Sequence, residues 1–142
     1  MNVKQQGLRF GYHPHGFEFV HTPTETLFDL LAKETHGDYV TFELDAFWFV
    51  HGSADPVCYL EKYSGRFELM HLKDMAKGTI IDLTGRAPDE SSVALGKGHL
   101  DWAAIIRAAD RAGVKVYFFE DESPQAPQQV LETQAFLRKL NY

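Results

Sequence analysis

The chain has 142 residues, of which 44% are hydrophobic and 24% are charged, and this balance excludes a disordered segment. Fourteen basic against twenty acidic residues leave a net charge of -6, which opposes binding to nucleic acid or to an anionic membrane surface. The single cysteine, Cys58, excludes an internal disulfide, and no apolar run approaches the ~20 residues of a membrane span. The first residues lack the apolar core of a signal peptide, so we expect a cytoplasmic protein with one domain over residues 1–142 and no internal linker.

Short runs rich in β-branched and aromatic residues alternate with segments of helical spacing, and four such pairs follow one another. The first run covers residues 8–13. The segment 22–25, Thr-Pro-Thr-Glu, then predicts a helix start in which Thr22 caps the helix and Glu25 completes a capping box. The apolar stripe of this helix would consist of Leu27, Leu30 and Leu31.

The second run covers residues 39–45 and leads through an aromatic loop to the next helix. Asp55 is the predicted cap of that helix, and Pro56 fits its first position. Gly65 is expected to end it.

The third run, residues 67–71, is followed by a long loop over residues 72–100, and a loop of that length inside a small domain is usually functional or mobile. Asp101 then caps a helix that Gly113 closes. The fourth run, residues 114–120, precedes a final helix whose expected apolar residues are Val130, Leu131 and Leu137.

Strands that alternate with helices in units of about 30 residues predict right-handed βαβ crossovers and a parallel sheet, so the fold class is α/β. The strand runs are apolar on both alternations, as expected for strands covered by helices. Four units admit two architectures, a small open sheet or half of an eight-stranded barrel, and the pattern alone does not choose between them.

The four runs end on residues that can bind a metal ion: His13, Asp45, His71 and Glu120. The carboxyl ends of parallel strands meet at one edge of the sheet, so these side chains should converge. Two imidazoles and two carboxylates suit Mn²⁺, Zn²⁺ or Fe²⁺. A histidine in this position is more often part of the core, and an acidic residue more often a helix cap, but the recurrence in all four units favours a shared metal.

Several segments resemble motifs of one family, the sugar phosphate isomerases/epimerases, which are xylose isomerase-like TIM barrels. Residues 11–19, GYHPHGFEF, resemble the family segment YHNHxFEF. The other matches are residues 43–56 to ELDxxW…GxDP, residues 65–74 to GR…HLKD, residues 96–102 to GxGxxDW, and residues 119–124 to xEDESP. Order and spacing hold from about Leu8 to the C-terminus, and the motifs are specific as a set.

The resemblance implies that the chain forms a parallel (βα)4 half barrel, corresponding to the last four βα units of an eight-unit barrel. A full barrel of this kind needs ~250 residues. We therefore expect either a homo-oligomer or pairing with a complementary N-terminal half barrel. The substrate implied is a small-molecule sugar, with no nucleic acid and no membrane involved.

The family's metal ligands carry over in type to Asp45, His71 and Glu120, whereas His13 stands where many epimerases have their first glutamate. A metal-bound neutral histidine does not exchange a proton as a carboxylate does, and this departure weakens a mechanism with two opposed glutamates. Glu120 is the candidate catalytic base, and Lys73 is expected to polarise a sugar oxygen.

Three further residues are candidate contacts of the site. His15 would bind substrate or orient a ligand, and Trp48 would offer an apolar platform for a sugar ring, although packing within the loops explains both equally well. Glu18 could be an alternative first metal ligand, but it lies beyond the strand end and more simply braces the loop. The remaining histidines, expected at the surface or in loops, are His21, His36, His51 and His99.

These residues support three function hypotheses. The first is a divalent-metal-dependent sugar or keto-sugar isomerase, epimerase or related lyase/hydrolase, which moves a proton beside a carbonyl through a metal-stabilised enediolate. The second is a catalytically inactive truncated fragment or binding module, because half of the barrel's loops are absent. The third is an abasic-site endonuclease, which is disfavoured because Trp48 and the Ser91-Ser92 region occupy the places of its extra ligands and the chain is acidic.

Overall fold

A computed structural model describes residues 3–142 of the chain. Its strands are β1 (Phe10–Tyr12), β2 (Val40–Asp45), β3 (Phe67–Leu72), β4 (Asp74–Met75), β5 (Ser92–Val93) and β6 (Val116–Phe119). Its α-helices are α1 (Leu27–Glu34), α2 (Ala46–His51), α3 (Pro56–Lys62), α4 (Trp102–Ala112) and α5 (Ala126–Leu137). Short 3-10 helices cover Val3–Gln6, Phe17–Phe19 and Asp89–Ser91.

Four strands form one parallel sheet in the order β1-β2-β3-β6, which confirms the predicted α/β class and the parallel crossovers. The long connection after β3 is not structureless, because β4 and β5 pair antiparallel within it. Asp74 is fully buried at the start of this connection and accepts hydrogen bonds from the backbone N–H groups of Gly96 (2.9 Å) and Gly98 (3.1 Å). These hydrogen bonds join the two ends of the connection.

An extra residue in β3 sets which way its side chains point. Phe42 pairs with Phe67, but the next pair is Glu43 with Leu69, so Glu68 is bulged out of the register. Because side chains alternate along a strand, the bulge lets both Phe67 and Met70 face the core and turns His71 to the opposite face of the sheet.

The core lies between one face of the sheet and the helices, and it is rich in aromatic rings. The ring of Phe28 on α1 lies within 4.9 Å of the Phe42 ring and 6.0 Å of the Phe67 ring, measured between centroids. None of the helices within residues 3–142 belongs to the opposite face of the sheet. On that face the outer strand β6 leaves Val116 43% exposed and Phe118 44% exposed.

Helix α1 begins later than the sequence predicted. Thr22 accepts the backbone N–H of Glu25 at 3.2 Å, but it closes a turn instead of capping the helix. Thr26 is the true cap, and its capping box is completed by Asp29, which also accepts from the Tyr63 hydroxyl at 2.6 Å. This second box prevails because Asp29 is anchored to α3, an attachment that Glu25 lacks.

The predicted apolar faces of α1 and α5 were wrong in part. Leu27 and Leu30 are exposed, whereas Phe28 and Ala32 are the buried residues of α1 and Leu31 packs at the edge of the core.

In α5, Val130 and Leu131 are exposed and Leu137 packs partly against the core. The buried residue is Thr133, whose hydroxyl accepts the N–H of Leu95 at 3.0 Å.

The predicted starts of the next two helices were confirmed, but Gly65 does not end α3, whose last residue is Lys62 and whose C-cap is Tyr63. Asp55 caps α3 before Pro56, and Asp101 caps α4, which ends at the left-handed Gly113 (φ 88°). The aromatic segment after β2, expected as a loop, forms α2. No helix within the described residues is long and apolar enough to cross a membrane.

A close backbone approach fixes the loop that follows β1. Gly52, at the end of α2, packs so tightly that a Cβ there would lie 2.5 Å from the Phe19 ring and 2.8 Å from the backbone of Gly16. The loop that carries His13 and His15 is therefore held against α2, and only glycine fits at position 52.

We expect Gly52→Ala to lower the free energy of unfolding by about 1–3 kcal/mol, because the added methyl group overpacks this contact. Gly11→Ala is the matched control, since a Cβ at Gly11 would make ordinary contacts with Leu69 (3.6 Å) and Thr41 (3.7 Å). Urea denaturation of both variants measures the difference. Equal destabilisation by the two substitutions would contradict this account of the contact.

Candidate metal centre

The structure brings together the four residues that the sequence placed at the strand ends. His13 directly follows β1, Asp45 ends β2, His71 is the penultimate residue of β3, and Glu120 directly follows β6. One donor atom from each residue lies within 4.8 Å of the corresponding atoms of the other three. The carboxyl edge of the parallel sheet therefore carries a compact group of two imidazoles and two carboxylates.

The two carboxylate oxygens of Asp45 have different roles: one caps a helix and the other faces the cluster. Oδ1 accepts the backbone N–H of Trp48 at 3.1 Å and so caps α2. Oδ2 is buried and has no hydrogen-bond partner, yet it lies 3.5 Å from His13 Nε2 and 3.4 Å from His71 Nδ1. A buried carboxylate oxygen that faces two imidazole nitrogens is the environment in which a divalent cation satisfies all three donors. The residues present thus fit a metal.

The charges of the group are strongly coupled. Burial alone would lower the pKa of His71, but the carboxylates of Asp45 and Glu120 outweigh it and raise that pKa to about 10. The contact with His71, at 2.6 Å from Nδ1 to Oε2, lowers the pKa of Glu120 to about 2 in spite of burial. Burial would raise the pKa of Asp45, yet the nearby His13, His71 and Lys73 lower it. Without a metal, an imidazolium supplies the positive charge at this position.

His15 lies beside the group and not in it. Its Nδ1 is 3.3 Å from Nδ1 of His13, and its pKa is lowered by burial and by His13. The loop that holds both histidines is braced by Glu18, which accepts from the Tyr12 hydroxyl (2.7 Å) and from the backbone N–H groups of His15 (2.9 Å) and Gly16 (3.0 Å). The bracing role expected for Glu18 is confirmed.

Lys73 is a buried cation at the edge of the group. Its side chain is 1% exposed, and its Nζ donates to Glu120 Oε1 at 2.9 Å and also contacts Glu122. Burial would lower the pKa of Lys73, but Asp45 and the two glutamates raise it, so the ammonium stays charged. Two hydrogen-bonded carboxylates therefore hold Nζ at a defined place beside the cluster.

The aromatic side chains after Asp45 are buried and do not form an exposed surface at the site. Phe49 lies in the main core, and Phe47 is also buried. Trp48 is 7% exposed and stands between the His15 ring, 5.7 Å away between centroids, and the Lys73 Nζ, 5.1 Å from its ring. Its largely buried ring does not form an open platform.

Two residues were missed or misplaced by sequence reasoning. Glu43 brings Oε1 within 3.2 Å of His71 Nε2, and its position two residues before Asp45 on the same face of β2 is a signal that strand alternation offers. His51, expected at the surface, is buried on α2, where its ring packs 5.2 Å from that of Trp48. The sequence predicts a loop here, whereas the segment forms α2, and the helix places His51 among its buried residues.

The sequence model of a family described as "Xylose isomerase-like TIM barrel" matches residues 3–140 of the chain. No curated protein sequence matches it. Among solved structures, a sugar phosphate isomerase/epimerase from Parabacteroides distasonis ATCC 8503 aligns with a TM-score of 0.74 at 28% identity, over 95% of this chain and 46% of its own. A second structure of the same description and organism aligns with a TM-score of 0.76 at 29% identity, over 96% and 48%.

A more distant structure, an IOLI protein with a binding zinc atom, aligns with a TM-score of 0.70 at 18% identity, over 96% of this chain and 50% of its own, and shows the fold alone. The chain spans about half the length of the structures that it matches. Its four-stranded sheet thus corresponds to roughly half of a TIM barrel. Because the family model covers nearly the whole chain, the protein belongs to the xylose isomerase-like TIM barrel family.

Proposed function

We propose that the protein is the metal-binding half of a divalent-metal-dependent sugar or keto-sugar isomerase/epimerase. The observation that carries the proposal is the convergence of four donor atoms within 4.8 Å, with the unpartnered oxygen of Asp45 among them. Zn²⁺, Mn²⁺ and Fe²⁺ suit this ligand set, and the zinc atom in the distant IOLI structure supports the first of them. His13, Asp45, His71 and Glu120 would hold the ion.

When bound, the ion would polarise a substrate carbonyl and stabilise the negative charge that develops there as the neighbouring proton is removed. Glu120 is the residue placed to move that proton. It is a carboxylate at neutral pH, and its side chain is 30% exposed, unlike that of the fully buried Asp45. Lys73 donates a hydrogen bond to the other oxygen of Glu120, and its fixed positive charge would help to stabilise negative charge on the substrate.

The neighbouring residues would shape the substrate site. His15, kept neutral by its lowered pKa, can exchange hydrogen bonds with a sugar hydroxyl, and the Trp48 ring packs near both His15 and Lys73. One carboxylate base on this half of the barrel favours proton transfer on a single face, as in aldose–ketose isomerisation, over transfer between two opposed carboxylates.

We further propose that the chain corresponds to the last four βα units of the barrel and that a second copy covers its open face. The outer strands β1 and β6 each leave one edge unpaired, and a twofold axis would place β6 of one copy beside β1 of the other. The exposed Val116 and Phe118 would then become interior. The alternative to a second copy is a complementary half barrel supplied by another chain. The alternative to an enzyme is a binding module without turnover.

We expect His71→Ala to abolish stoichiometric metal binding, because it removes the donor that lies closest to the other three. Elemental analysis and titration with Zn²⁺ measure the change. His36→Ala, on an exposed residue that is not part of the cluster, is the control and should bind metal as the unmodified protein does. Unchanged stoichiometry in His71→Ala would rule out this ligand assignment.

We expect Lys73→Met to lower the rate of substrate hydrogen exchange in D₂O by about 10²–10³-fold while metal remains bound, because it removes one preorganised charge. The assay is an NMR exchange measurement on the metal-loaded protein with a panel of keto-sugars. Lys77→Met, on an exposed lysine of the long connection, is the matched control. Metal binding without any exchange in the unmodified protein would favour the inactive binding module.

We expect light scattering to give a mass of at least two chains, and Phe118→Asp to shift the equilibrium toward monomer by placing a charge on the open face. Ile80→Asp is the control, since Ile80 is 78% exposed on the long connection and away from the sheet. A monomer at high concentration would contradict the second copy and point to a partner from another chain.

A further inference from the structure

The two imidazoles of the cluster use different nitrogens to face it. His13 turns Nε2 inward, and its Nδ1 meets His15. His71 turns Nδ1 inward, to 3.4 Å from Asp45 Oδ2 and 2.6 Å from Glu120 Oε2. The other nitrogen of His71, Nε2, points away from the cluster and lies 3.2 Å from Glu43 Oε1.

The position of Glu43 follows from the register of the sheet. Asp45 pairs with His71, and Glu43 pairs with Leu69. The second pair precedes the first by two residues on each strand, so both pairs lie on the same face of the sheet. The side chain of Glu43 is 18% exposed, as is that of His71. Among the described residues, His71 is the ion-pair partner of Glu43, so its carboxylate is not committed to a lysine or an arginine.

A histidine that binds a metal must be neutral and must carry its remaining proton on the nitrogen that faces away from the ion. A carboxylate at that nitrogen holds the proton there, fixes the orientation of the ring and makes the inward nitrogen a stronger donor. For His71 this requires the proton on Nε2, the nitrogen beside Glu43, and leaves Nδ1 free to bind the ion. His13 has a neutral imidazole, His15, in the corresponding place.

We propose that Glu43 is a positioning residue of the metal centre, which fixes His71 in the Nε2–H tautomer and makes it bind the ion through Nδ1. This inference rests on the proposed metal site, but it does not depend on which sugar is the substrate or on turnover. Glu43 itself touches neither the ion nor the substrate. It acts through His71, and its contribution is read in metal affinity and in the protonation of one ring.

The test compares Glu43→Leu and Glu43→Gln with the control Glu68→Gln. Leucine removes the acceptor, whereas glutamine keeps an oxygen that can accept the Nε2 proton. Glu68 is also half-buried and ion-paired on β3, but its partners are Arg9 and Lys115, away from the cluster. Zn²⁺ affinity is measured by competition with a chromophoric chelator.

We expect Glu43→Leu to weaken Zn²⁺ binding by about 10–100-fold, Glu43→Gln to weaken it less, and Glu68→Gln to leave it unchanged. The second measurement is ¹⁵N NMR of the imidazole of His71 in the unmodified, Zn²⁺-loaded protein, which should show a metal-bound Nδ1 and a protonated Nε2. This readout holds even if the variants fail to fold.

The inference is overturned if Zn²⁺ coordinates Nε2 of His71, or if folded Glu43→Leu binds Zn²⁺ as tightly as the unmodified protein. Loss of the proposed activity with these results intact would disprove the sugar chemistry alone. Absence of Zn²⁺ binding in the unmodified protein would remove both.

Discussion

The alternation of side chains along β2 and β3 is the constraint on which the candidate metal centre depends. A strand exchanges its two faces when the register slips by one residue. The bulge at Glu68 shifts the pairing of β3 by one residue. Phe67 therefore lies in the core while the side chain of His71 lies on the same face as that of Asp45. The bulge is a feature of the backbone pairing, and the side chain of Glu68 pairs with Arg9 and Lys115 at the opposite end of the sheet from the cluster.

The helices show where local sequence suffices and where it does not. Helices α3 and α4 begin at the predicted caps, Asp55 and Asp101, because no competing cap lies near them. The start of α1 was displaced because two similar capping boxes lie four residues apart, and only Asp29 gains a partner on another helix. Helix α2 was missed because its aromatic sequence is short and because Asp45, which caps it, was interpreted as a candidate metal ligand.

The cluster itself was predictable because the carboxyl ends of parallel strands meet at one edge of the sheet. The four residues at these strand ends were therefore expected to lie close together. Ring orientation was not predictable. Which nitrogen of His13 or His71 faces inward depends on the partners Glu43 and His15, and these contacts exist only once the bulge and the loop after β1 are in place.

Water has free access to the uncovered side of β6, where Phe118 lies 6.0 Å from His71 between ring centroids. Two unit charges 4 Å apart interact by about 1 kcal/mol in water but by about 4 kcal/mol at an effective dielectric constant of 20. Any polypeptide that dries this side would strengthen the field of Lys73 on Glu120 severalfold without contacting either. Coverage of this side would therefore change the electrostatics of the cluster through desolvation alone.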